Sequence, residues 1–251
     1  MREEPLVVPG RLGVLRGIQH FPSGKAGWVV VVLQGYFSST HVGPARLYLQ
    51  LARQLQGAGC QVLRLDPFGV GDSDGEFTGT TYDTQLDDYF RILTHAKLTW
   101  PSARLALVGH SLGANLALRV SAEDRTIERL VLISPTVGPI SYPERLFTPD
   151  ERVVLARGGN VERHATVITA GFMNSMQSEE AFAQATKCPR GATVFHAAND
   201  EYLDGTGARR LAAALPDSRL FIVPEADHNY LADFRRLEFL GLFEREVTQR
   251  W

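Results

Sequence analysis

The stretch "ALVGHSLGANLAL", Ala106–Leu118, runs from an apolar strand-like segment through Gly109-His110-Ser111-Leu112-Gly113 into a helix-forming one. Its three fixed letters, G-x-S-x-G, mean little alone: with Gly near ~7% of residues and Ser taken as similar, chance supplies them roughly once in ten chains of this length. The flanks decide the reading. A serine directly after a strand and directly before a helix occupies a nucleophile elbow, a turn so sharp that its neighbours tolerate little side chain. Gly109 and Gly113 meet that demand, and Gly113, Ala114 and Ala117 let the following helix approach the sheet closely. The helix start also supplies backbone N–H groups and the positive end of its dipole. The competing reading is an ordinary serine N-cap in a glycine-rich turn.

Upstream of the elbow, Leu12 to Phe21 reads as strand-like after an N-terminal tail, and "WVVVVL", Trp28–Leu33, as a strand buried on both faces. From Pro44 to Gly57, Leu47, Leu51 and Leu55 fall at i, i+4 and i+8, a helical stripe stopped by Gly57 and Gly59. Strand "CQVLRLD", Cys60–Asp66, leads into the turn-rich "PFGVGDSDGEFTGT" and a helix from Thr81 to Lys97. Downstream come strand "RLVLIS" (Arg129–Ser134), strand "ATVFHA" (Ala192–Ala197), a helix around Thr206 to Leu215, strand "RLFIV" (Arg219–Val223) and a last helix from Leu231 to Gln249. This alternation predicts an α/β fold with a mostly parallel central sheet flanked by helices. Thr136 to Lys187 breaks the rhythm. The expected organisation is a core of residues 1–135 and 188–251, with a small cap, 136–187, inserted before the acid-bearing strand; a long interruption of this kind is more often functional than structureless.

Composition narrows the classes of function. A hydrophobic share of 44%, a charged share of 22% and a formal net charge of -2 describe an ordinary globular chain and point to no nucleic acid or other polyanion partner. Basic pairs such as Arg209-Arg210 and Arg235-Arg236 read as solvated helix faces. The longest strongly apolar run, Trp28–Leu33, is far shorter than the roughly 20 residues a membrane helix needs, and the start lacks a secretory pattern, so a cytoplasmic protein without a membrane span is expected. Cys60 and Cys188 are far apart and flank no metal-like spacing, so both read as reduced, semi-buried thiols. No G-x-G-x-x-G or clustered ligand pattern sits at a suitable junction, and no cofactor or metal is expected.

If Ser111 is a nucleophile, an acid and then a histidine should follow it in the chain. Asp200 lies just after the strand ending near Ala197, and His228 just after the next strand. Both therefore emerge at the carboxyl edge, where open α/β sheets collect their sites. The histidine would take the serine proton and return it to the leaving group, while the carboxylate fixes its tautomer. Asp204 is an alternative acid, better explained as a helix N-cap; Asp227 adjoins His228 but is poorly placed to orient it. Two backbone donors must meet the oxyanion: Leu112 supplies one, and the loop Gln34-Gly35-Tyr36-Phe37 supplies the other, Tyr36 first and Phe37 in reserve. His110 lies within the elbow, packed beneath it, and is counted with Phe37 as bordering the substrate. His20, His95 and His164 fit no constellation.

With these parts in order, the chain resembles the α/β-hydrolase superfamily over nearly its whole length. More narrowly it is similar to the small serine esterases grouped with cinnamoyl and feruloyl esterases and monoacylglycerol-lipase-like hydrolases. The carriers are "LQGYFSS", "RLYLQLARQLQGAGCQVLRLDPFGVGDSDGEF", "VGHSLGANLAL", "NDEYLD" and "EADHNY". The resemblance implies Ser111 as nucleophile, Asp200 as acid, His228 as base, Tyr36 and Leu112 as oxyanion donors, and 136–187 as the cap over the acyl or alcohol pocket. It makes Asp72 and Ser73 turn-formers rather than catalytic groups. A serine in the elbow argues against the haloalkane dehalogenases and epoxide hydrolases of this fold, which carry aspartate there. One departure stands out: many relatives have His-Gly where this chain has Gln34-Gly35.

The leading expectation is an enzyme that cleaves a small-molecule carboxylic ester through an acyl-enzyme, with Phe147, Phe172, Met173 and Met176 lining an apolar, adaptable pocket. The alternative keeps the triad but acts on acyl groups bound to coenzyme A or an acyl carrier, as a thioesterase or acyltransferase. A binding protein on a hydrolase scaffold is the third reading, which the intact Ser, Asp and His set weighs against. Physiological substrate, acyl length and oligomeric state are not written in the sequence.

Overall fold

Side chains along β3 (Trp28–Leu33) alternate between two separate cores, and that alternation fixes the layers of the molecule. The computed structural model describes residues 2–36, 40–137, 145–163, 166–176 and 180–250. Val29, Val31 and Leu33 face one hydrophobic cluster, while Trp28, Val30 and Val32 face the other, the period of two expected for a strand covered on both sides. Around it an eight-stranded sheet runs in the order β1 (Arg2–Pro9), β2 (Val14–Phe21), β4 (Cys60–Leu65), β3, β5 (Arg104–His110), β6 (Ile127–Ile133), β9 (Ala192–Ala197), β10 (Arg219–Val223). The β1–β2 and β2–β4 pairs are antiparallel and the others parallel.

Helices α1 (Leu47–Gly57) and α8 (Asp233–Glu246) cover one face through Leu47, Leu51, Leu55, Phe239 and Phe243. Helices α2 (Tyr82–Thr99), α3 (Leu112–Glu123) and α7 (Gly205–Ala214) cover the other through Tyr89, Leu93, Leu116 and Leu211. The α/β-hydrolase expectation, with its mostly parallel sheet, is borne out. The segment read as an N-terminal tail is instead strand β1, with Leu6 and Val8 buried against the sheet. Its charged start and its two prolines hid it, and an edge strand tolerates both.

Within 136–187 the described residues form α4 (Pro149–Ala156), a hairpin of β7 (Asn160–Arg163) and β8 (Thr166–Thr169), α5 (Ala170–Ser175) and α6 (Glu180–Ala185). Four-residue strands are too short to show alternation, which is why strand spacing fails there. Phe147, Val161, Ile168 and Phe172 lie in the same cluster as Leu33 and Leu112, so this segment is packed into the main core. Helix α6 lies along α3.

Candidate active site

Register sets the stage: β3, β5, β6, β9 and β10 finish at one edge, with Leu33 beside Gly109, His110 beside Ile133 and Ala197 beside Val223. Ser111 leaves β5 there with φ 55° and ψ −118°, in the left-handed region that a residue with a Cβ rarely adopts. The elbow closes because its neighbours are glycines. A Cβ on Gly109 would meet the Gly113 carbonyl oxygen at 2.3 Å, and one on Gly113 would meet that of Leu33 at 2.2 Å. The Ser111 N–H donates to the Ile133 carbonyl at 2.9 Å, which fastens the turn to β6. Ser111 is 2% exposed.

The histidine and the carboxylate converge on it. His228 Nε2 lies 2.9 Å from Ser111 Oγ, and His228 Nδ1 lies 2.7 Å from Asp200 Oδ2. Burial pushes the Asp200 carboxyl up, but hydrogen bonds from His228 and from the Leu203 and Tyr202 N–H groups outweigh it, leaving the group below the usual range and ionised. An ionised Asp200 requires a proton on Nδ1, so Nε2 is the lone-pair nitrogen and accepts from the serine hydroxyl. A neutral imidazole so placed can take that proton and return it. Glu201 holds the loop from the other side, its Oε2 accepting the His228 N–H at 3.1 Å. The Tyr202 ring stands edge-on to His228 with centroids 5.2 Å apart.

Beneath the elbow runs a second chain of hydrogen bonds that the sequence does not announce. His110 Nε2 lies 3.0 Å from the His228 carbonyl oxygen, and its Nδ1 lies 2.8 Å from Tyr48 Oη, which in turn accepts the Gly35 N–H at 2.8 Å. Burial drives the His110 pKa down to about 3, so the ring is neutral. A carbonyl accepts only, so Nε2 carries the proton and Tyr48 donates to Nδ1. Expected at the substrate, His110 instead has both nitrogens engaged in the framework, tying the loop of Gly35 to the backbone of His228. Gly35 itself lies against Ser111: a Cβ there would be 3.4 Å from the serine's own.

Of the expected donors, Leu112 opens α3, and among the described residues no acceptor meets its N–H. Tyr36 follows Gly35, with its hydroxyl donating to Met173 Sδ at 2.9 Å and its ring edge-on to Phe172. Phe37 lies outside the described residues, as does His164. Phe147 and Phe172 are buried in the core rather than turned to an open pocket, the Phe172 ring of α5 packing between Tyr36 and Phe77; Met173 and Met176 are only partly covered. Asp204 caps α7, accepting the Thr206 N–H at 2.9 Å, and Asp227 closes its own turn through the Asn229 and Leu231 N–H groups. Cys60 and Cys188 are buried, and burial raises both thiols to about 11.

His41 packs on Asp66, with Nδ1 2.9 Å from Oδ2, and Asp72 lies near. The Asp66 oxygens also accept the N–H groups of His41 and Asp72, so the trio reads as the fastening of the turn. No sequence motif points to Thr136. Its hydroxyl lies 3.3 Å from Ser111 Oγ. The available signal was position alone, since Thr136 leaves β6 at the edge where Ser111 and Asp200 leave theirs.

Residues 24–161, more than half of the chain, match the family described as serine aminopeptidase, S33. The chain belongs to that family. The part that matches serine aminopeptidase S33 takes in the Gln34–Tyr36 loop and the elbow but ends before Asp200 and His228. Mouse (Mus musculus) monoglyceride lipase is 30% identical over 129 residues, 51% of this chain and 40% of that protein. The polyketide transferase grgF of a Penicillium species is 24% identical over 132 residues, 50% of this chain and 42% of that one. The chain thus spans about two fifths of the length of these relatives. Among solved structures, ferulic acid-bound Est1E from Butyrivibrio proteoclasticus superposes with a TM-score of 0.81 at 18% identity, covering 98% of this chain and 97% of that one. At that identity the likeness speaks for the fold. It agrees with the fold expected from the motifs.

Proposed function

We propose that the protein is a serine hydrolase that cleaves a small-molecule carboxylic ester through an acyl-enzyme. In this reading Ser111 attacks the ester carbonyl while His228 takes its proton, and the imidazolium, steadied by Asp200, gives that proton to the departing alcohol. Water then enters, His228 takes a proton from it, and the acid leaves as Ser111 is restored. Backbone N–H groups of Leu112 and Tyr36 hold the oxyanion, each such donor lowering the barrier by about 3 kcal/mol. The reading is carried by one observation: the unbroken chain from Ser111 Oγ through His228 to Asp200, at 2.9 and 2.7 Å, on a strained elbow at a helix N-terminus. A lipase among the relatives supports esters as the substrate class.

A second reading, acyl transfer from a carrier- or coenzyme A-bound thioester to an acceptor other than water, has the polyketide transferase among the relatives in its favour. Both share the acyl-enzyme, and product analysis with an added alcohol or amine separates them. The common step is tested by intact-protein mass after treatment with a fluorophosphonate. One adduct on the wild type and none on Ser111→Ala is the expected result; a wild type that stays unlabelled while folded would overturn the proposal.

A further inference from the structure

The Ser111 hydroxyl has a neighbour that a triad does not require. Thr136 Oγ1 lies 3.3 Å from Ser111 Oγ, and both residues are buried. Ser111 has one hydroxyl proton, and His228 Nε2 receives it at 2.9 Å. Thr136 is therefore the donor in the remaining contact, and Ser111 Oγ the acceptor. The threonine is also pinned along its backbone: its N–H donates to the Ser111 carbonyl at 3.2 Å, and its carbonyl accepts from Asn115 Nδ2 at 2.9 Å. Asn115 Oδ1 accepts from the Tyr82 hydroxyl at 2.7 Å, and the Tyr82 N–H donates to Ser175 Oγ at 2.8 Å, at the end of α5. A donor this firmly held stays on the nucleophile oxygen without having to be ordered during the reaction.

We propose that Thr136 is a catalytic residue of the second half-reaction, donating to Ser111 Oγ as that oxygen leaves the acyl group. The inference rests on the ester-hydrolase reading. In deacylation a water oxygen bonds to the acyl carbon while His228 takes its proton. The bond between that carbon and Ser111 Oγ then breaks, the electron pair returns to Oγ, and the His228 imidazolium supplies the proton that restores the hydroxyl. Charge on Oγ at the point of bond breaking is what the Thr136 donor stabilises.

The half-reactions respond unequally because their starting states differ. Before acylation, Oγ is an alcohol oxygen, a good acceptor already holding the Thr136 hydrogen bond, so the transition state gains little over the ground state. In the acyl-enzyme, Oγ is the alkoxy oxygen of an ester, a poor acceptor, and the bond to Thr136 strengthens as the oxygen departs. Only the interaction that grows toward the transition state accelerates a step.

The test is burst kinetics on a fast-acylating aryl ester with wild type, Thr136→Val and Thr136→Ser, beside the rate of fluorophosphonate labelling. Thr136→Val should slow deacylation about tenfold and leave labelling within about twofold. With deacylation limiting, kcat and KM should fall together, kcat/KM should hold, and Thr136→Ser should recover most of the loss. Equal slowing of labelling and deacylation, or a serine variant no better than valine, would reduce Thr136 to packing and overturn the proposal. Wild-type kinetics in Thr136→Val would overturn it too. If Thr136→Val fails to fold, Thr136→Ser and Thr136→Ala carry the same comparison. A wild type that neither labels nor turns over would sink the parent reading instead.

Discussion

The two edges of the central sheet are built from the same strands and look nothing alike. At the edge where the parallel strands begin, Arg104, Arg129, Arg190, Arg219 and Arg250 surround a cavity of about 400 Å³ with Glu128 and Glu246. Arg104 pairs with Glu128 and Arg219 with Glu246, each through an arginine that reaches solvent, and Arg129 and Arg190 meet no carboxylate among the described residues. At the edge where the strands end, Ser111, His110, His228 and the Asp200 carboxylate are all nearly closed to solvent, and each is held by directed hydrogen bonds. The charged depression thus has the weaker chemistry. Exposed charges are screened and cost little to leave unpaired, whereas buried polar groups must be satisfied in one geometry and act with more force. Depth of burial together with saturation of hydrogen bonds is the better guide to a reactive edge.

This contrast can be broken by substitution. The largest expected effect is at Asp200: Asp200→Asn should cut ester turnover by about 10⁴-fold, as removal of an orienting carboxylate does elsewhere. Asp204→Asn should cost a fewfold at most, since asparagine caps a helix nearly as well. Steady-state rates of the two purified variants decide, and the reverse order would move the acid to Asp204. Next comes the framework: His110→Leu removes the acceptor of the Tyr48 hydroxyl proton and the donor to the His228 carbonyl, and should destabilise the fold by about 1–3 kcal/mol in urea titration. A variant as stable as wild type would mean that the buried edge tolerates loose ends as the charged edge does.

A smaller effect concerns pH. Burial holds His110 down to about 3, and burial together with the neighbouring Arg64 holds His20 down to about 4. Unfolded, each titrates near 6.5, so below that pH the unfolded chain binds protons the native chain refuses. Their contribution to stability is complete above pH ~6.5 and is lost as the pH falls toward about 4 for His20 and about 3 for His110, by up to about 1.4 kcal/mol per pH unit for each. Urea midpoints at pH 7, 6 and 5 would follow this loss, and His20→Gln should flatten it. An undiminished slope in that variant would assign the loss to other groups. Smallest of all, the paired replacement Arg104→Ser with Glu128→Ser should leave turnover within about twofold and the melting temperature within about 2 °C.

Why the sequence revealed one edge so well is visible in particular residues. Gly109, Ser111 and Gly113 are constrained by backbone sterics, which act within a few residues and so leave a local pattern. Asp200 and His228 are named by their position after consecutive strands, which the alternating elements convey. The Tyr48–His110 link and the Thr136 contact join residues 62 and 25 positions apart in sequence. No local rule fixes such pairs. His20 had the look of a spare histidine, yet it is fully buried with the Arg64 guanidinium donating to it at 2.8 Å. Phe147 and Phe172 had the right chemistry for a pocket lining, but apolar side chains line pockets and fill cores with equal ease. Only the packing of α5 against Tyr36 separates the two.

The backbone angle of Ser111 also sets stability against activity at a single position. A residue with a Cβ held at φ 55° and ψ −118° carries about 1–3 kcal/mol of conformational strain. Glycine relieves that strain and alanine does not. Ser111→Gly should therefore melt higher than Ser111→Ala although neither carries the proposed nucleophile. Screening this protein for thermostability alone would favour a glycine at the elbow and discard the hydroxyl that the proposed mechanism needs.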